Sequence, residues 1–228
     1  MTDPGRRFVA AWLFLCAALG LGLVLLVVIV AAGIRLEIGI PGLRVVHRVA
    51  ASLEVAVVLW LAWMAWRRPA VLLALALTAL LSVVGIIGGQ QPPPAIAAIN
   101  LLGGLTLAAV FAWILAEKGS GPFFTKRVLT PFPILLLLAI QVALGAWLTL
   151  VGLYGMALPA HGLLAVALVP LLVWFARGKP VLLVLAVAVP IAGFTALHYE
   201  YSALAALAHA VAAALLVAAA AHALGRFA

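Results

Sequence analysis

The chain has 228 residues, of which 69% are hydrophobic and 8% charged. Soluble domains carry about 25% charged residues, so a soluble enzyme or binding module is excluded, and near-continuous apolar runs leave no room for a separate soluble domain. The net charge of +8 does not point to nucleic acid, because the basic residues stand singly or in pairs between apolar runs, the charge pattern of membrane topology.

A run of about 20 apolar residues crosses a bilayer as a helix, and helix breakers divide this chain into eight such runs. The first extends from about Phe8 to Ala32. Arg6 and Arg7 before it imitate a signal peptide, but the run is too long for a signal h-region and lacks a convincing cleavage site, which predicts a retained helix. A loop from Gly33 to Gly42 leads to helix two, about Val45 to Trp66, closed by Arg67-Arg68-Pro69. Helix three continues to about Gly89, and Gln90-Gln91-Pro92-Pro93-Pro94 is a break. Helix four is predicted over about Ala95 to Leu115, before a polar stretch from Glu117 to Arg127. Helix five runs from near Pro131 to near Val151, and a Gly-rich turn leads to helix six, about Pro159 to Phe175. Arg177-Gly178-Lys179-Pro180 opens helix seven, which ends near Ala196. After the polar break His198-Tyr199-Glu200-Tyr201, helix eight spans about Ala203 to Leu224. The expected fold is all-α, a polytopic membrane protein of eight transmembrane helices.

Charge then sets the orientation. Arg6, Arg7, Arg67, Arg68, Lys118, Lys126, Arg127, Arg177, Lys179 and Arg226 fall on one side of this scheme; Arg35, Arg44 and Arg48 fall on the other. Basic residues favour the cytoplasmic side, so both termini are expected there, in a multi-pass protein of the cell inner (plasma) membrane. The chain also repeats. His47 opens helix two and His161 opens helix six; each of those helices ends in a basic turn with proline; and the last helix of each half carries a polar residue in its first turns, Asn100 and His209. Two repeated four-helix bundles are expected, 1–118 and 119–228, in the manner of parallel repeats.

Ionisable side chains inside a membrane are expensive and are read first as functional. His161 and His209 are expected at similar depth on two helices of one bundle, which is how a bis-histidine haem site is built: imidazole is a good axial ligand for iron, and the bundle interior offers an apolar slot. The alternative is an interfacial histidine bonded to a loop carbonyl. His47 faces Asn100 as its counterpart, and an amide is a poor iron ligand, so a haem there would be five-coordinate or open to a substrate. Arg48 either pairs with a haem propionate or anchors the helix at the interface. Glu54, seven residues after His47, returns to nearly the same helix face; it serves either as an acid–base group or proton relay, or as an interhelical hydrogen-bond partner of Ser, Thr or Gln. His198 and Glu200 are placed in an outer loop, as a cap over a site or as solvated residues. His222 is assigned no role. Cys16 has no partner cysteine, so no intramolecular disulfide or thiolate metal site is offered. The seven tryptophans, several near helix ends, read mainly as an interfacial belt.

Several stretches together resemble the heme A synthase family of bacterial and mitochondrial membranes: Val46-His47-Arg48-Val49-Ala50-Ala51, Gln141-Val142-Ala143-Leu144-Gly145-Ala146-Trp147, Ala160-His161-Gly162-Leu163, Ala208-His209-Ala210, and the Gly88 to Pro94 turn. The resemblance covers nearly the whole chain through the order of motifs. It implies two four-helix halves with a porphyrin site in each. A haem b would be held by the residues matching His161 and His209. Haem O would be received beside His47 and its methyl group oxidised to the formyl group of haem A. Three departures accompany it: Asn100 stands where the family has a second histidine, Arg44 where it has an acidic residue three positions before His47, and the outer-loop cysteine pair is absent. Glu54 is a candidate substitute for that carboxylate. Candidate partners are membrane lipid, a respiratory oxidase, a haem O synthase, and a quinol or other electron donor. The departures favour an alternative, a non-enzymatic b-type cytochrome serving as an accessory or electron-transfer subunit. A small-solute transporter is the third class, and polar residues clustered near one surface rather than at the midplane count against it.

Overall fold

The computed structural model describes residues 4–89, 91–116, 132–151, 157–199 and 202–225. Among them the regular structure is entirely helical: α1 (Pro4–Arg35), α2 (Leu43–Ala65), α3 (Pro69–Gly88), α4 (Pro94–Ala116), α5 (Phe132–Val151), α6 (Ala157–Phe175), α7 (Pro180–His198) and α8 (Ala203–Gly225). All except α5 are long and apolar enough, by length and composition, to cross a membrane; α5 spans 20 residues with an apolar stretch at Leu136–Leu148. The chain is a polytopic, multi-pass all-α membrane protein, and its many exposed Leu, Ile, Val and Phe side chains are the surface that lipid covers. Lys118, Lys126, Arg127, Glu200, Tyr201 and Arg226 lie outside the described residues.

Prolines start α3, α4 and α7, where a missing N–H is harmless and the fixed φ suits a first helical turn. The main difference from the sequence expectation is α1, which runs through Gly33 to Arg35. A single glycine costs a helix only about 1 kcal/mol relative to alanine, and backbone bonding continues past it, with Leu36 N donating to Ala32 O at 2.9 Å. Reversal comes later, at Gly39 (φ 68°) and Gly42 (φ 81°), whose positive φ values suit residues without a Cβ. His198 likewise closes α7 as its last residue rather than standing in a loop.

In the first half α1 packs on α2 and α4, and α3 on α2 and α4; in the second, α5 packs on α6, α7 on α6 and α8, and α5 touches α8. The halves meet chiefly through α4 against α8, with α4–α5 and α1–α8 beside it. In lipid there is little hydrophobic drive between helices, so close van der Waals approach through small residues holds them together. Ala112 of α4 packs with Ala218 and Ala221 of α8. A Cβ added at Gly225 would lie 2.7 Å from Ala116 Cβ and 2.9 Å from the Trp113 carbonyl oxygen, so the two backbones are close there. His222 Nδ1 lies 3.2 Å from the Ala112 carbonyl oxygen and ties α8 to α4. Phe111, fully buried, lies over Gly20 of α1, where a Cβ would run into its ring.

Candidate functional site

Residues of the same kind recur at the same places in the two halves. His47 is the fifth residue of α2 and His161 the fifth of α6; Asn100 is the seventh of α4 and His209 the seventh of α8. With about 1.5 Å of rise per residue, each pair sits about 6–9 Å along its helix, at one end of the bundle.

In three of the four helical hairpins an imidazole turns back onto the preceding helix and meets the residue twenty positions earlier. His47 Nδ1 is 3.3 Å from the Val27 carbonyl oxygen, and His209 Nδ1 is 3.0 Å from the Val189 carbonyl oxygen. A carbonyl only accepts, so Nδ1 donates in both, and Nε2 keeps its electron pair. His161 differs: its Nε2 is 3.2 Å from the side-chain amide nitrogen of Gln141. His161 Nδ1 and Gln141 Oε1 are both buried with no partner, and an orphaned buried polar atom costs about 1–3 kcal/mol. Which amide atom is oxygen follows from the surrounding bonds. Turning the amide over changes which of its atoms faces Nε2 and leaves the other without a partner, so Gln141 meets His161 in either orientation.

The two rings of the second half meet. The centroids of His161 and His209 are 6.3 Å apart and their planes are nearly perpendicular, at 83°. Each rests on a glycine sixteen positions earlier. A Cβ at Gly145 would lie 3.0 Å from His161 Cε1, and one at Gly193 would lie 2.9 Å from His209 Cε1. Both imidazoles therefore occupy space that any other residue would fill. At the same spacing before His47 and Asn100 stand Ala31 and Val84, so this glycine support belongs to the second half alone.

A metal between two imidazoles, with bonds of about 2 Å and each ring nitrogen about 1 Å from its ring centre, spaces the centroids about 6 Å apart. The His161–His209 pair matches that spacing and offers the neutral nitrogen donors that haem iron takes. These residues therefore fit a bis-histidine haem. No group of three or more His, Cys, Asp or Glu side chains that could hold a bare metal ion occurs among the described residues, and an axial site needs only two.

The first half is arranged differently. Glu54 is buried (6% exposed), and the Thr78 hydroxyl of α3 donates to its Oε1 at 2.8 Å. This is the interhelical hydrogen bond that the sequence left open beside an acid–base role. Ser82, one turn along α3, donates to the Thr78 carbonyl at 2.8 Å. Arg48 is exposed and Asn100 half-buried. Cys16 is buried and forms no disulfide. His198 meets Tyr199 edge-on, with ring centroids 5.2 Å apart.

Sequence reasoning assigned no role to Gln141, Gly145, Gly193 or Thr78. The signal for the first three was the fixed spacing of twenty and sixteen positions before a histidine, visible only once the hairpin register is known. Compared with protein-family models the chain matches none, and compared with curated proteins it matches none.

Proposed function

We propose that this protein is an integral-membrane haem protein in which His161 and His209 hold a haem b in the second half. The single observation that carries the reading is the imidazole pair at 6.3 Å, seated over Gly145 and Gly193. When bound, such a haem supplies a one-electron iron couple. The chain's own residues do the rest. The Val189 carbonyl fixes the His209 tautomer and its ring direction, Gln141 engages His161, and apolar helix faces exclude water.

For the activity, the resemblance to heme A synthases and the presence of His47 support oxidation of the haem O methyl group to the formyl group of haem A in the first half, with dioxygen as the oxidant and oxygen source, the quinol supplying the electrons that reduce its second oxygen atom to water by way of the haem b, and the twice-hydroxylated carbon losing water to give the formyl group. Helices α4 and α8, which carry Asn100 and His209, pack against each other, so the two sites lie on adjoining helices. His47 would be the protein ligand there, Arg48 a partner for a propionate, and Glu54 a proton-bearing group held by Thr78. A second reading, an electron-transfer cytochrome without haem O conversion, is favoured by Asn100, Ala31 and Val84, which give the first half neither a second imidazole nor the glycine support. In either case the distribution of basic residues supports an inner-membrane protein with both termini cytoplasmic; a respiratory oxidase and a quinol are the partners of either reading, joined by a haem O synthase on the synthase reading.

Haem extracted from cells that make haem O and express either this chain or its His47→Ala variant separates the readings. Haem A formed by the parent chain and lost in the variant supports the synthase; haem O unchanged in both supports the cytochrome.

A further inference from the structure

Each half is a ring of four helices: α1–α2, α2–α3, α3–α4 and α4–α1 pack in the first, and α5–α6, α6–α7, α7–α8 and α8–α5 in the second. Helices α2 and α4 therefore stand at opposite corners, as α6 and α8 do, and across those corners the second half brings His161 and His209 to 6.3 Å. Asn100 holds the place of His209. Both are half-buried, and each follows an exposed neighbour, Ile99 and Ala208. By the repeat, Asn100 stands across the ring from His47. The second half closes on two imidazoles; the first does not, for a steric reason. Added Cβ atoms at Gly88 and Gly103 would lie 2.8 Å from Ile96 and 2.5 Å from Leu81, and these two α3–α4 contacts bracket Val84 and Asn100 at one level. Val84 is buried. Its counterpart is Gly193, where even a single Cβ would come within 2.9 Å of the His209 ring. A valine there fills the space that an imidazole at position 100 would need, because a packed interior has no room for both. The shorter asparagine fits.

We propose that the first half is a ligand-binding haem site: His47 is the one protein ligand to the iron, and the Asn100 amide covers the open face and donates a hydrogen bond to a small acceptor ligand there, of the class of dioxygen or a halide. The proposal rests on the reading above that the first half receives a haem through His47. That imidazole fits the task, since its Nδ1 donates to the Val27 carbonyl at 3.3 Å and Nε2 keeps its electron pair. Asn100 fits its own. A carboxamide carries two N–H donors, and among the described residues this one meets no hydrogen-bond partner. An apolar surround strengthens whatever bond it makes. The two halves then differ in kind: the second is closed by two imidazoles and suited to passing electrons, while the first is open and selects ligands that accept a hydrogen bond.

The test uses the purified full-length haem-loaded chain, with His47→Ala marking which signals belong to the first half. The ferrous parent should bind carbon monoxide at the His47-dependent haem alone, and the ferric parent should bind fluoride there. Asn100→Leu removes the donors at similar volume. It should still bind carbon monoxide, but with a higher C–O stretching frequency, because no N–H draws electron density onto the ligand oxygen. Its fluoride affinity should fall by about tenfold or more, the loss of one hydrogen bond to a charged acceptor. Asn100→His joined to Val84→Gly should close the face, giving a low-spin haem that takes no carbon monoxide. Unchanged fluoride affinity and C–O frequency in Asn100→Leu, loss of the first-half haem from that variant, or a double variant that still takes carbon monoxide or loses the haem would each overturn the proposal. So would a His47-dependent haem that is already low-spin in the parent and refuses carbon monoxide. A chain with no His47-dependent haem refutes instead the reading that the first half receives one, a result distinct from all of these.

Discussion

Gly193→Ala should weaken haem binding more than it weakens the fold. The added methyl would lie 2.9 Å from His209 Cε1 and 3.1 Å from Nδ1. Ordinary carbon contacts are about 3.5–4.0 Å, so the ring must retreat by about 0.5–1 Å. That movement breaks the Nδ1 bond to Val189, now 3.0 Å, and turns the ring out of line with His161. Overpacking costs about 1–3 kcal/mol and the lost hydrogen bond about 0.5–1.5 kcal/mol. Even the low end of about 1.5 kcal/mol corresponds to about tenfold in haem affinity. Alanine is meanwhile the better helix former by about 1 kcal/mol, which offsets part of the strain in the apoprotein. Gly162→Ala is the control: it adjoins His161, yet a Cβ there meets nothing within 4 Å. Haem titration of the apoprotein by Soret absorbance, paired with thermal unfolding in detergent, reads both quantities. Gly193→Ala binding haem as tightly as Gly162→Ala would refute the reasoning.

Three further outcomes are expected. Thr78→Val leaves the Glu54 carboxyl buried without its partner and should destabilise the chain by about 1–3 kcal/mol, whereas Glu54→Gln, which keeps an oxygen to accept from Thr78, should lose less; thermal unfolding of the two variants orders them. Gly225→Val forces a branched side chain against Ala116 and the Trp113 backbone, neither of which can rotate away, and should cost about 1–3 kcal/mol, read as a lowered Tm. Single reporter cysteines in a Cys16→Ala background should be labelled by an impermeant maleimide from the cytoplasmic side at Arg67 and Arg177, and from the opposite side at Gly39; the reverse pattern would overturn the proposed orientation.

Much of the helical layout was legible in the sequence because its causes are local. Apolar runs of bilayer length, basic turns and prolines fix where helices lie, and α2, α4, α6 and α8 begin within two residues of their expected starts. The far end of α1 was misjudged because a glycine is a weak breaker where lipid leaves the backbone no other hydrogen-bond partner. His161 and His209 could be named from spacing and charge cost, but their 6.3 Å separation is a tertiary quantity. Gln141 and the two glycines were hidden for the same reason: what a residue sixteen or twenty positions away touches depends on the length of the intervening turn. His222 carried no local signal, since its partner Ala112 is 110 positions distant and offers only a main-chain oxygen.

The most direct measurement is haem b per chain, by pyridine hemochrome on the purified protein, for the parent and for His161→Ala and His209→Ala. The account predicts one low-spin haem b per chain that either substitution removes or converts to a five-coordinate, high-spin form. A parent chain without haem, or a haem whose spectrum and stoichiometry survive both substitutions, would contradict it.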